Sequence, residues 1–156
     1  MSQKNLLLSI IFLVVNIVSG QEIKLPKNVI KTFNDSQIIY FFTNNTFYEI
    51  DVLTYNISEP KVFQNNGYNI ANYKAIKIKD TFYFIQNTGG LVLKLKNNAL
   101  ERIDNSFNHK MQINSSIFKY NNHIYRYGGY GYFSTRDFIV KFDFDSLEWE
   151  SIKIND

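Results

Sequence analysis

Apolar residues occur in short runs along the chain, and pairs of polar turn residues separate these runs. Three of the runs have a tyrosine near their centre: Ile38–Phe42, Phe82–Ile85 and Ile124–Tyr127. Runs of this length that are rich in Ile, Phe and Tyr are typical of β-strands. Upstream of each lies another apolar run, and it ends in turn residues: Asn34-Asp35, Lys79-Asp80 and Asn121-Asn122. Because such residues favour tight turns, the pattern predicts three β-hairpins.

The hairpins belong to a longer repeat. Tyr40, Tyr83 and Tyr125 are separated by 43 and 42 residues, and a repeat of this length is typical of propellers and solenoids. After each hairpin the sequence predicts a third strand, at 47–53, 91–95 and 138–144, and a short fourth strand, at 61–63, 100–103 and 147–154. Apolar and polar residues alternate only loosely within the strands, as expected of sheets buried on both faces. The pattern predicts an all-β chain of three four-stranded antiparallel units, at about 28–63, 74–103 and 115–154.

The third unit carries a recognisable motif. Its second strand runs into Gly128-Gly129, its third strand ends in Phe142-Asp143, and Trp149 follows seven residues after Phe142. This order resembles a kelch repeat, which forms one four-stranded blade of a β-propeller in the kelch and galactose-oxidase-like superfamily. The resemblance implies that the glycine pair forms a tight, crowded turn and that Trp149 packs between blades. Phe142 stands where these repeats more often have Tyr.

The other two units depart from that motif. In the second unit Gly89-Gly90 comes a few residues late, and a gapless comparison with the third unit places Arg102 at the position of Trp149. The first unit has neither glycine pair nor Trp, so another family of four-stranded blades remains an alternative for these two units. Closed propellers have about four to eight blades. We therefore expect either that copies of the chain complete a ring as a homo-oligomer, or that C-terminal blades are missing because the chain is part of a longer protein. Its end at Asp156, right after the third unit, favours the second alternative.

The N-terminus resembles a secretory signal peptide. Lys4 precedes the apolar run 6–18, and Val18-Ser19-Gly20 places small residues before a cleavage point at Gln21. The run is shorter than the roughly 20 residues that span a bilayer, which favours a cleaved signal over an anchor helix. We expect a signal peptide over residues 1–20, a propeller fragment over 21–156, export to the periplasm, cell surface or medium, and no membrane span in the mature chain.

The composition of the chain limits the partners and reactions that we expect. The chain has a formal net charge of +3, with no run of like charges, and it contains no cysteine; we expect no nucleic-acid partner. Its two histidines, His109 and His123, fall on opposite ends of the predicted sheets, and Asp143 with Asp145 lacks the rest of a calcium-binding loop. We expect no catalytic residues, no metal and no cofactor. Among kelch-type enzymes, the copper radical oxidases need a cysteine that is absent here, whereas an epimerase-like activity on sugars, with catalytic residues outside this chain, remains an alternative.

Strand order predicts which end of the sheets binds a ligand. In an antiparallel meander the second-to-third-strand loops and the connections between units emerge at one end, and here these segments are long: 64–73, 104–114 and 128–137. Because loops on a rigid scaffold commonly carry function, we expect a non-catalytic module that binds a protein or glycan through this long-loop face. It could serve as the sensor part of a larger surface receptor. The predicted ligand-binding residues are Tyr68, Tyr73, Phe107, His109, Tyr130, Tyr132 and Arg136, with Phe133 beside them.

Overall fold

The structure is a computed structural model that describes residues 24–105, 112–131 and 133–152. These residues form three four-stranded sheets and one small hairpin, and the described ranges include no α-helix. In each large sheet every strand pairs antiparallel with its sequence neighbour. The three predicted units are therefore confirmed as three successive antiparallel sheets. No closed ring of sheets forms within the described residues.

The strand bounds lie close to those expected. Sheet I consists of β1 (Lys31–Asp35), β2 (Ile38–Phe42), β3 (Thr46–Asp51) and β4 (Lys61–Val62). After a 3-10 turn (Ile70–Asn72), sheet II consists of β5 (Tyr73–Ile78), β6 (Thr81–Gln86), β7 (Val92–Lys96) and β8 (Ala99–Arg102). Sheet III consists of β9 (Ser116–Tyr120), β10 (His123–Tyr127), β13 (Ile139–Asp143) and β14 (Glu148–Ser151). The hairpin of β11 (Tyr130–Gly131) and β12 (Ser134–Thr135) projects from the connection between β10 and β13.

Asparagine pairs form two of the hairpin turns because their side chains tolerate a left-handed backbone. Asn97 and Asn98 between β7 and β8 have φ of 49° and 58°, and Asn121 and Asn122 between β9 and β10 have φ of 44° and 59°. The turn between β13 and β14 uses a carboxylate instead. Asp143 Oδ1 accepts a hydrogen bond of 2.7 Å from the backbone N–H of Asp145 and so caps this turn.

Two apolar cores hold the sheets together, one on each face of sheet II. The first lies between sheets I and II and is centred on Phe42, whose ring centroid lies 5.3 Å from those of both Phe82 and Phe84. The second lies between sheets II and III and contains Tyr83, Phe142 and Trp149. Residues directly opposite each other on paired strands share a face of the sheet. Accordingly Phe84 and its partner Leu93 lie in the first core, whereas Ile85 and its partner Val92 lie in the second. Burial on both faces explains why sheet II lacks clear alternation.

The gapless comparison of the second and third units is wrong in one detail. Trp149 lies opposite Phe142 across the β13–β14 pair, and the residue opposite Leu95 across the β7–β8 pair is Leu100. Leu100, fully buried, therefore occupies the position of Trp149, whereas Arg102 lies opposite Leu93 and is largely exposed. The cause is the turn: four residues separate Asp143 from its partner Glu148, but two separate Lys96 from Ala99. A comparison without gaps cannot allow for this difference.

Candidate functional site

The connections at one end of the sheets form a continuous surface. The backbone N–H of Asn87 donates to Asn72 O (3.3 Å), and the N–H of Asn114 donates to Asn87 O (3.2 Å). Ile113 and Tyr130 exchange two backbone hydrogen bonds of 2.8 Å. These bonds join the connection from sheet I to sheet II, the β6–β7 turn, the end of the connection from sheet II to sheet III and the β11–β12 hairpin. We call this end of the molecule the long-loop face.

The hairpin of β11 and β12 is the most exposed apolar feature of that face. Phe133 at its tip is 96% exposed and Tyr130 at its base is 47% exposed. Phe133 also has a φ of 63°, a left-handed conformation that is uncommon for a bulky residue. The backbone thus holds an aromatic ring out into solvent.

The base of the hairpin is firmly attached. Gly128 and Gly129 have φ of 66° and 95°, as the kelch resemblance implies for this turn. A methyl group on Gly129 would lie 2.8 Å from Ile113 O, so the turn is as crowded as expected. The buried side chain of Gln112 donates from Nε2 to Gly128 O at 3.0 Å, and the N–H of Arg136 donates to Gly129 O at 2.8 Å. These contacts attach the base of the hairpin to sheet III.

The other predicted ligand-binding residues differ in accessibility. Tyr73 is the first residue of β5 and only 6% exposed; it belongs to the first core, and burial raises the pKa of its hydroxyl. Tyr68 packs partly buried against the same core. The prediction of Tyr73 as a ligand-binding residue is wrong, because the connection 64–72 folds back onto sheets I and II and leaves this ring in the core. Tyr68 keeps part of its surface exposed. Arg136 is half-buried, with its guanidinium 5.6 Å from the Phe138 ring. Phe107, His109 and Tyr132 lie outside the described residues.

The sequence did not single out Arg126, which is fully buried between sheets II and III. Its Nε donates to Ser115 Oγ (3.0 Å) and its Nη2 to Gln112 O (2.5 Å), and its guanidinium lies 5.3 Å from the Trp149 ring. Within the described residues Nη1 has no hydrogen-bond partner. Desolvation lowers the pKa of Arg126 to about 10. Tyr125, the repeated tyrosine next to Arg126, predicts a β-strand at this position. A strand pattern alone does not show that the neighbouring cation is buried.

The first strands of the three sheets, β1, β5 and β9, line a cleft of about 270 Å³. Three lysines and one aspartate are among its lining residues: Lys74, Lys77, Lys119 and Asp35. Lys119 Nζ donates to Lys77 O at 3.0 Å and lies 3.5 Å from Asp35 Oδ1. Lys77 Nζ donates to the Tyr40 hydroxyl at 2.7 Å. Burial is the largest single effect and acts to lower the pKa of Lys77, but this hydrogen bond together with the electrostatic attraction of Tyr40, Asp35 and Asp80 outweighs it, and the pKa is raised. Lys77 and Lys119 are 42 residues apart, which matches the repeat length, and this spacing could have predicted that they lie at equivalent positions of neighbouring sheets.

Within the described residues we find neither a cluster of metal ligands nor a helix that could span a membrane. Among residues 24–105, 112–131 and 133–152, no three acidic or histidine side chains come together in a way that could hold a metal ion. His123 begins β10, and its ring lies 6.4 Å from that of Tyr125. In the described part of the chain, no helix combines the length and apolarity needed to cross a membrane.

Comparison with known proteins relates the fold to one solved structure in particular. No family model and no curated protein matches the chain. The solved structure of YjhT resembles it with a TM-score of 0.57 and 14% sequence identity. The match covers 77% of this chain but 49% of YjhT, so the chain spans about half the length of that protein. At this identity the likeness concerns the fold alone.

Proposed function

We propose that this chain is an exported, non-catalytic binding module of the kelch-like β-propeller type, and that it binds a protein or a glycan through the long-loop face. The projecting β11–β12 hairpin, with Phe133 at 96% exposure, carries the proposal. Aromatic residues are enriched among the side chains that dominate binding energy. A loop whose base is already ordered loses less conformational entropy on binding than a flexible loop.

The kelch assignment is supported by the crowded turn at Gly128-Gly129 and by the packing of Trp149. The indole Nε1–H donates to Gly90 O across the two sheets at 2.7 Å, and the ring is 4% exposed. Such packing between two successive sheets is what the kelch resemblance leads us to expect of Trp149. The three successive meanders and the likeness to YjhT support a propeller architecture.

Binding can be tested with defined collections of ligands. The purified chain is screened against an oligosaccharide array and a displayed peptide library, and any selected binder is titrated against variants. Replacing Tyr130 and Phe133 together by Ala should weaken that binder at least about 30-fold, because truncating a dominant contact costs about 2 kcal/mol or more.

Tyr55 provides the matched control. It is also an exposed aromatic, at 55%, with a comparable φ of 58°, but it lies in the loop between β3 and β4, which emerges at the other end of the sheet. Tyr55→Ala should leave the affinity unchanged. Equal losses in both variants, or no selective binder in either collection, would contradict the proposal.

Export is tested separately. Expression of the whole chain in a secreting cell, followed by intact-mass measurement, should give a mature product that begins at Gln21. Retention of residues 1–20 in the product would contradict a cleaved signal peptide.

A further inference from the structure

The register of the three hairpins identifies equivalent positions in the three sheets. Phe33 lies opposite Tyr40, Ile76 opposite Tyr83, and Phe118 opposite Tyr125. In sheets I and II this pair lies on the face that packs against the following sheet, and in sheet III it lies on the corresponding face. We call this the trailing face of a sheet, and the opposite one its leading face.

In the first two sheets the following sheet covers the repeated tyrosine. Tyr40 is 2% exposed and its ring lies 4.8 Å from that of Phe82 in sheet II. Tyr83 is 8% exposed and its ring lies 5.3 Å from that of Phe144 beside sheet III. The repeat at this position is therefore an inter-sheet contact.

The trailing face of sheet III has the same composition but no cover from the described residues. Phe118 is 40% exposed, Tyr120 63% and Tyr127 49%. Tyr125 is half-buried, and its ring contacts are with aromatic rings of its own sheet, including Phe118 at 5.5 Å and Tyr120 at 6.4 Å. A contiguous group of exposed aromatics of this kind marks an interaction surface.

The interface between sheets I and II shows which residues pack against a trailing face. In sheet II the covering residues are Phe82, Phe84 and Leu93, all on its leading face. The equivalent residues on the leading face of sheet I are Ile39, Phe41 and Tyr48, and all three are partly exposed. Sheet I thus presents the complementary surface, and this surface too lacks a preceding sheet among the described residues.

Charges do not oppose contact between the two faces. On the trailing face of sheet III, Lys141 lies opposite Glu150. The equivalent pair in sheet II, Lys94 and Glu101, lies on the trailing face that packs against sheet III. Ile39, Phe41 and Tyr48 add no charge, so no like charges meet.

We propose that the trailing face of sheet III binds the leading face of sheet I in a second copy of this chain, and that the reciprocal contact closes a six-sheet ring of two copies. Each chain has one face of each kind, so two copies satisfy both. The match to YjhT supports this stoichiometry, since the chain spans 49% of that protein and two copies supply about the full length. Further sheets from a longer polypeptide are the competing occupant.

Light scattering across a range of concentrations tests the proposal on the purified chain. The expected species has twice the chain mass. Ile39 is the equivalent of Phe82, whose ring contacts that of Tyr40, the equivalent of Tyr125. Ile39→Lys and Tyr125→Glu should therefore each shift the equilibrium to monomer, since either charge would be buried in both contacts. Mixing the two variants should restore a dimer, because one contact then places opposite charges together and the other is wild type. Phe133→Lys, an equally non-conservative change outside both faces, should leave the mass unchanged.

Hydrogen exchange on the unmodified chain tests the same contacts without variants that could fail to fold. Backbone amides of β2 and β9 should become better protected as concentration rises, while those of the buried β6 stay constant. A folded monomer at all concentrations overturns the proposal, as do open assemblies of growing mass. Concentration-independent exchange in β2 and β9, or a dimer that persists in both charged variants, also overturns it.

Discussion

Gly90 lies closely packed against Arg126 and Trp149 between sheets II and III, and adding one methyl group there tests this packing. Gly90 has a φ of 77°, and a methyl group would overlap Nη1 of Arg126 and lie 3.2 Å from Nε1 of Trp149. Arg126 is fully buried and held by two hydrogen bonds. Its guanidinium therefore cannot move aside without losing them.

Gly67 separates the backbone effect from the packing effect. It has a φ of 82°, and a methyl group there would meet no atom within 4 Å. Gly67→Ala should cost about 0.5–1 kcal/mol, because the left-handed conformation costs an alanine about 1–2 kcal/mol and the lower entropy of the unfolded chain offsets part of it. Gly90→Ala adds an overpacking cost of about 1–3 kcal/mol. We expect it to unfold about 1–3 kcal/mol more easily than Gly67→Ala.

Urea denaturation followed by far-ultraviolet circular dichroism, at one protein concentration, measures this difference. Trp149 is the single tryptophan of the chain, so its fluorescence in the native state should change in Gly90→Ala and not in Gly67→Ala. In an Arg126→Met background the extra cost of Gly90→Ala should shrink, since the overlapping group is removed. Equal destabilisation by the two alanines, with unchanged fluorescence, would refute the packing described for Arg126.

Three further changes test individual elements. Leu100→Ala should destabilise the protein by about 2–5 kcal/mol because it empties a fully buried position. Arg102→Lys, which keeps a cation beside the buried Asp104 carboxylate, should cost about 1 kcal/mol or less; similar thermal denaturation curves would contradict the corrected equivalence with Trp149. Gly128→Val should lower the melting temperature, since a β-branched residue resists a φ of 66°; a wild-type melting curve would show that the kelch-type turn is wrong. Asp51 accepts backbone hydrogen bonds from Leu53 and Thr54, which lower its pKa. Its contribution is present above the unfolded pKa of about 3.9 and is lost as the pH falls through the lower folded pKa, so the deficit of Asp51→Asn measured by urea denaturation should be clear at neutral pH and vanish in acid. A deficit independent of pH would contradict this role.

Much of the strand structure was predictable because it depends on local properties. The repeated tyrosines and the asparagine pairs are short-range signals for strands and turns, and β2, β6 and β10 lie where these signals placed them. The turn at Gly128-Gly129, where the connection from β10 to β13 begins, was also predictable, since glycine adopts a positive φ without strain.

The candidate site was harder to predict. Exposure depends on how a connection folds against sheets that are distant in sequence. Tyr73 and Tyr130 are both tyrosines in or beside long connections, yet one is 6% and the other 47% exposed. The burial of Arg126 and the alignment of Leu100 with Trp149 likewise depend on contacts between strands and sheets.

The strands, the turns and their threefold repetition follow from the sequence, because hydrophobic pattern and backbone preference act over a few residues. Which face of each strand is covered depends on the neighbouring sheet and is visible only in the folded chain. Tyr40, Tyr83 and Tyr125 illustrate the difference. They are the same residue at the same repeat position. The first two are buried by a following sheet, whereas Tyr125, in the last described sheet, is only half-buried.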